Sequence, residues 1–272
     1  MLLIDADSLV YKAGWSVEKR FYTLPPEERF GTKKEATQAL TAAGREDEIS
    51  ALVAGSETTG SESAAWLCLR NLYEGILDRF PGTPFVSFIS EGKTFRHDVA
   101  KTQPYKGNRS ESAKPYYYDF LRETILNTWH GELVTQIEAD DKVAIEASCQ
   151  NDTVIVGIDK DLLQVPAFHY NYVKGELFEI DERTGWLNFF TQVLVGDATD
   201  NIPGLRGIGP KKASELLGED EDIWYDCCLS LYKEHYEGRE RFDETCELLY
   251  LLRYDGDSWA ECREWFEAGR QV

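Results

Sequence analysis

Four short apolar runs, each closing on an acidic residue, constrain this chain more than any other feature. Residues 2–4 (LLI) end on Asp5, with Asp7 just beyond. Residues 85–89 (FVSFI) lead through Ser90 to Glu91. Residues 133–137 (LVTQI) run into Glu138, Asp140 and Asp141, and 153–158 (TVIVGI) into Asp159 and Asp161. Each run is short and rich in β-branched or aromatic residues, the mark of a buried strand. Helical periodicity fills the gaps over 62–79, 115–129 and 139–149, the last opening with carboxylates that suit a helix N-terminus. Strands alternating with helices predict an α/β fold, a central and mostly parallel sheet flanked by helices. A hairpin is expected in FHYNYVKGELFEI with its turn at Lys174-Gly175, and helices from about 191 onward. Residues 20–61 are weakly patterned and read as a polar insertion or a partly helical excursion.

In an open parallel sheet the carboxyl ends of the strands share one edge, where ligands bind. The four strand ends therefore bring Asp5, Glu91, Glu138, Asp140, Asp141, Asp159 and Asp161 to one place. A fifth group, Gly196-Asp197-Ala-Thr-Asp200-Asn201, sets Asp197 and Asp200 on the same side of a helical turn. So many carboxylates repel one another unless cations neutralise them. An all-oxygen set suits Mg²⁺, with Mn²⁺ as a substitute, and its size suits two ions. Paired ions about 3.5–4 Å apart are a known device for hydrolysing phosphodiesters. Any one acid after a strand is more often a turn or N-cap residue, and Asp7 fits that description best.

The 272-residue chain carries a formal net charge of −20, which taken alone argues against a nucleic-acid partner. Its distribution reverses that inference. Residues 215–272 hold 17 acids and 6 bases, and the nine proposed ligands account for the rest of the excess. Positive charge concentrates in 92–114 (GKTFRHDVAKTQPYKGNRSESAK), where Lys93, Arg96, Lys101, Lys106, Arg109 and Lys114 interleave with Phe95 and Tyr105. Such a segment can bind phosphates and stack unpaired bases. Residues 202–217 (IPGLRGIGPKKASELL) bring Arg206, Gly207, Gly209, Lys211 and Lys212 to a helix start, which fits a helix-hairpin-helix gripping a DNA backbone. No run is long and apolar enough to span a membrane, and the N-terminus lacks a signal-peptide pattern, so a cytoplasmic protein is expected. The six scattered cysteines show no zinc spacing and read as free thiols.

Taken together, LLIDADSLVYKAG, FR…YKGNR, IEADDKVA, GIDKDLLQVP and GDATDNIPGLRGIGPKKA resemble the 5′-nuclease superfamily. That group comprises flap endonucleases, the 5′-nuclease domain of bacterial DNA polymerase I and the 5′→3′ exonucleases of tailed bacteriophages, which the chain looks most like. The resemblance implies a metal-dependent 5′→3′ exonuclease with flap endonuclease activity, working by a two-metal mechanism in phage DNA replication, recombination and primer removal. It implies a first metal group of Asp5, Glu138, Asp140 and Asp141, and a second of Asp159, Asp161, Asp197 and Asp200. Glu91 stands where the family usually has Asp. Arg96, Tyr105, Lys106 and Arg109 would meet the scissile phosphate and the unpaired 5′ strand, on or below a helical arch over about 92–130. Lys106 and Arg109 would be electrophilic clamps, and the 202–217 hairpin, with Lys211 and Lys212, would hold duplex DNA, often with K⁺.

The expected organisation is a catalytic domain over 1–190 and a helical region over 191–272 that ends in an acidic segment. The expected partners are DNA with 5′ ends, flaps or nicks, and RNA–DNA hybrids, bound by a monomer without membrane association. A competing reading is a haloacid-dehalogenase-like phosphatase with Asp5 as nucleophile, because Asp5-Ala-Asp7 imitates that motif. It leaves YKGNR and the glycine hairpin unexplained. A third is a DNA-binding module without catalysis.

Overall fold

The computed structural model describes residues 1–25, 28–108 and 114–269. Its first elements are β1 (Leu2–Asp5), α1 (Asp7–Trp15), β2 (Glu18–Leu24), β3 (Glu28–Phe30), α2 (Lys33–Ala42), β4 (Val53–Thr58) and α3 (Glu62–Arg79). Next come β5 (Phe85–Thr94), α4 (Arg96–Val99), α5 (Tyr118–Thr128), β6 (Gly131–Gln136), α6 (Ala139–Cys149) and β7 (Val154–Val156). The chain continues through β8 (Ala167–Asn171), β9 (Glu176–Ile180), α7 (Glu182–Val195), β10 (Gly196–Asp197) and β11 (Ile202–Pro203). Four helices follow: α8 (Pro210–Leu217), α9 (Trp224–His235), α10 (Glu240–Leu249) and α11 (Trp259–Glu267). By backbone proximity the described residues of Met1–Ser8, Gly75–Ser110 and Ile125–Val272 form one unit, and those of Leu9–Glu74 and Glu111–Thr124 a second. The expected boundary at 190 lies inside α7.

The first unit contains a six-stranded sheet in the order β6-β5-β1-β7-β8-β9. Every pairing is parallel except β8 with β9, the expected hairpin. Strand β1 is buried along its whole length between β5 and β7, which is why Leu2-Leu3-Ile4 is continuously apolar rather than alternating. Leu3, Phe88 and Ile155 pack with Val143, Ala144 and Ala147 of α6. Helix α6 starts with a reciprocal capping box between Glu138 and Asp141. Helix α7 ends at Gly196, whose φ of 78° and contact with Gly204 exclude a side chain: a Cβ there would lie 2.2 Å from the Gly204 nitrogen.

The acidic C-terminal segment folds as α9–α11 around an aromatic core shared with α7. Phe189, Phe190, Trp224, Tyr232, Phe242, Trp259 and Phe266 are all buried in it. Most of the negative charge therefore sits on the outer faces of amphipathic helices, with Glu244 and Asp257 turned inward.

In the second unit, residues 20–61 are partly helical, as expected, but also carry strands that were not expected. They form an antiparallel sheet, β3-β2-β4, followed in sequence by α3, with α2 inserted between β3 and β4. Most of these strand residues are exposed or half-buried, so no continuous apolar run announced them. Guanidinium groups cover the aromatics instead, Arg29 lying 3.6 Å from the Phe21 ring centre and Arg20 3.7 Å from that of Trp15. No helix among the described residues is long and apolar enough to cross a membrane.

Candidate metal and nucleic-acid site

The parallel pairings put the carboxyl ends of β1, β5, β6 and β7 on one edge, all within the first unit. Asp5 closes β1 and is buried. Burial, then the charges of Asp7 and Asp159, push its carboxyl well above the usual range. Asp140 is raised in the same way, by burial and then by Glu138 and Asp141. Asp161 is pushed up to about 6 by burial and by Asp159. Such shifts mark carboxylates crowded beyond what their own cations neutralise.

Two lysines stand among them. Lys106 Nζ donates to Glu138 and lies 3.6 Å from Asp200. The Tyr105 hydroxyl bridges the same two acids, 2.8 Å from each. Burial opposes the charge on Lys106, but Glu138, Asp200 and Asp140 outweigh it and raise the ammonium pKa. On the other side Lys160 Nζ lies 2.8 Å from Asp161 and 2.5 Å from Asp197. Asp197 is buried, yet the Lys160 ammonium and the N–H groups of Thr199 and Asp200 overcome that burial and lower its pKa.

The Lys106 backbone sits in the left-handed region at φ 55°, as does Asn201 at 61°. Their two loops dock through Lys106 N–H to Asp200 O (2.9 Å), Asn201 Nδ2 to Pro104 O (2.9 Å) and Asn108 Nδ2 to Ala198 O (2.6 Å). A non-glycine residue held there costs about 1–3 kcal/mol and persists only where its surroundings fix it.

Other expected residues fall elsewhere. Arg96 is fully buried and spends its guanidinium on Asp141 (2.5 and 2.8 Å), on Leu248 O (2.9 Å) and on Tyr250 O (2.8 Å). It has no free face for a phosphate, and Asp141, equally buried, is committed to Arg96 and to the N–H of Glu138. Tyr105 is buried with its ring edge-on to His97, so it offers no open face to a base. Glu91 is exposed, whereas its neighbour Ser90 turns the other way and accepts the Ala139 N–H. Ser90 N–H also donates to Asp7, which accordingly acts as a local brace. Asp159 is exposed and accepts the Asp161 N–H at 3.0 Å.

Lys93, Arg206, Gly207, Gly209, Lys211 and Lys212 are exposed, and the last four lie at the start of α8, which Pro210 opens. Arg109 lies outside the described residues. Sequence reasoning missed Lys160, although a lysine between two aspartates is a readable counter-ion. It also missed the Gln192 amide that donates to Asp161, for which no local signal exists.

Among the described residues no three His, Cys, Asp or Glu side chains already converge around one point. The donor set is nevertheless all-oxygen, acidic and under mutual repulsion, which fits hard divalent cations.

The fold and its acidic edge define an α/β protein built to gather carboxylates where strands end. No family model matches the chain. It is 33% identical over 174 residues to DNA polymerase I of Rhizobium leguminosarum, covering 58% of this chain and 17% of that protein. It is 32% identical over 181 residues to a 5′-3′ exonuclease of Mycoplasmopsis pulmonis, covering 59% of each. A solved structure of T5 5′-exonuclease with divalent metal ions (zinc) bound shares the fold, with a TM-score of 0.51 at 12% identity over 92% of this chain and 97% of that one. The chain spans less than two thirds of the length of these curated relatives. The names of these relatives bear out the resemblance to the 5′-nuclease superfamily, and the T5 structure shares the fold.

Proposed function

We propose that the chain is a metal-dependent 5′→3′ exonuclease with flap endonuclease activity, hydrolysing DNA phosphodiesters near 5′ ends. The observation that carries this is the meeting of Lys106, in its strained backbone conformation, with Glu138 and Asp200 at the acidic sheet edge. Asp5, Glu138, Asp140, Asp159, Asp161, Asp197 and Asp200 would hold two Mg²⁺ ions, with Mn²⁺ able to substitute. Bound there, such ions supply Lewis-acid charge and a more acidic water. Lys106, swung from Glu138, would contact a non-bridging oxygen of the scissile phosphate and offset its developing charge. Tyr105 would fix the separation of Glu138 and Asp200, and Arg109 would assist Lys106. Arg96 and Asp141 would act as a tether beneath the site, and Glu91 is left out of the ligand set.

Residues 191–272 would form a DNA-binding helical region. The exposed Arg206, Lys211 and Lys212 with the turn at Gly207–Gly209 would grip downstream duplex as a helix-hairpin-helix, with K⁺ in the turn. A monomeric, cytoplasmic protein serving phage replication, able to take RNA–DNA hybrids as well as DNA, completes the reading. The phosphatase alternative gains no support, because the relatives above are DNA polymerase I and a 5′-3′ exonuclease.

Mapping the products of 5′-labelled flap, nicked and blunt DNA with and without Mg²⁺ tests the proposal. Short products released from 5′ ends only with Mg²⁺ are expected. Cleavage of none of these substrates with Mg²⁺ present overturns it.

A further inference from the structure

We propose that Glu244, on α10, is a positioning residue that anchors the 101–108 loop and so holds Lys106 and Tyr105 against the carboxylates. One carboxylate grips the root of that loop. Its Oε1 accepts the N–H groups of Lys101 and Thr102, both at 2.7 Å, and its Oε2 accepts the Thr102 hydroxyl at 2.6 Å. Arg241, one helical turn away, donates to the same Oε2 at 3.2 Å and to Pro203 O at 3.0 Å. Both side chains are only 10% exposed.

Glu244 and Arg241 therefore tie the loop's root to β11, the strand that follows Asp200 and Asn201. At its far end the same loop is held by Asp200 O, Asn201 and Ala198 O. Lys106 and Asn201 both occupy left-handed backbone, so neither loop holds its shape by local preference. Bonds to an ionised carboxylate are the strong kind and suit such a clamp. The loop root lies at the surface, so without Glu244 water would satisfy the freed N–H groups. The loss would then fall on order in the loop and not on the fold. This gives the acidic C-terminal segment a function: α10 braces the site from behind.

The inference rests on the nuclease reading of Lys106, and its test separates the two. Hydrogen exchange and steady-state cleavage of a 5′-flap DNA with Mg²⁺ would be measured for Glu244→Ala, Glu244→Gln, Thr102→Val, Lys106→Ala and the Lys106→Ala/Glu244→Ala pair. Glu244→Ala should speed exchange of the Lys106 amide about tenfold or more while α6 amides keep their protection. It should lower kcat roughly ten- to a hundredfold with KM within about threefold, the mark of a misplaced group rather than lost binding. Glu244→Gln keeps one acceptor oxygen for the two amides and should recover most of kcat, and Thr102→Val should fall between. In the Lys106→Ala background the Glu244 change should cost less than about twofold, because both act through one side chain.

Unchanged exchange at Lys106, a rise in KM alone, or independent additive losses would overturn the proposal. Should Glu244→Ala not fold, Thr102→Val decides by the same readouts. Should the wild-type chain cleave nothing, the nuclease reading fails, and the exchange measurement still decides whether Glu244 anchors the loop.

Discussion

Arg96 and Lys106 leave the same basic segment and reach the same helix start, yet they end in opposite circumstances. The Arg96–Asp141 pair is dry, with 2% and 0% of its side chains exposed, and it is bound further to carbonyls of α10 and the segment after it. The Lys106–Glu138 pair is 22% and 11% exposed and shares its ammonium with Asp200. A buried charge pair cannot exchange partners without stranding a charge in a low dielectric, whereas a half-open one can trade a carboxylate for a phosphate. One motif, Glu-Ala-Asp-Asp, thus divides its acids between a dry pair that ties the fold together and a pair at the open edge.

The largest expected effect is on the buried pair. Arg96→Met strands Asp141 and should cost about 3–5 kcal/mol. At about 2–4 °C per kcal/mol for a chain of this size, that is roughly 10 °C in melting temperature. Thermal denaturation of the metal-free protein reads this directly. A loss below about 1 kcal/mol would mean that the pair is as exchangeable as its neighbour, and the contrast would collapse.

Lys106→Ala should do the reverse. Removing a donor aimed at developing charge typically costs about 10²–10³-fold in kcat. Stability should change less than in Arg96→Met, because the Lys106 side chain is 22% exposed against 2% for Arg96. Single-turnover cleavage of a 5′-flap DNA beside a melting curve separates these effects. A melt as damaged as that of Arg96→Met would assign Lys106 to the fold.

This contrast also marks what could be read from the chain alone. Strands β1 and β7 were legible because buried parallel strands are continuous apolar runs; β6 emerged too although mostly exposed, and the 62–79 and 139–149 helices emerged where expected. The acids at Asp5, Glu138 and Asp159 were legible because each follows such a run. Arg96 was not, since an arginine destined for burial looks like one destined for phosphate until its partners are known. Those partners, Leu248 O and Tyr250 O, lie more than 150 residues away. Glu244 was hidden for the same reason, its loop partners lying 142 and 143 residues away. The 18–58 sheet was missed because its strands are half-exposed and charged, so neither period dominates.

A smaller effect follows from the crowding itself. Asp5, Asp140 and Asp161 have raised pKa values in the folded chain, that of Asp161 reaching about 6. As pH rises from about 4 to 6 the unfolded chain loses protons that the folded chain keeps, so these groups favour folding less at each step. Asp197, held low by Lys160, works in the opposite sense, and its stabilisation is lost only on acidification. Among the shifted carboxylates of this edge three are raised and one is lowered, so in chelator the edge's contribution to the melting temperature should fall across that window. Mg²⁺ should remove the fall by neutralising the same carboxylates. If pH has no such effect, or Mg²⁺ stabilises equally at pH 4 and 7, the carboxylates do not act as one crowded site.

The smallest effect tests whether the exchangeable pair has a counterpart. Lys160 is 53% exposed and spans Asp161 and Asp197, much as Lys106 spans Glu138 and Asp200. An ammonium at that distance competes with an incoming divalent cation for the same oxygens. Two unit charges 4 Å apart in water interact by about 1 kcal/mol, so removing the competitor should tighten cation binding by about fivefold. Lys160→Met, titrated with Mn²⁺ by calorimetry, should therefore bind more tightly than wild type, with slightly lower stability in chelator. Weaker binding would show that Lys160 organises the carboxylates for the cation instead of standing in for it. The two lysines would then differ in kind, as Arg96 and Lys106 do.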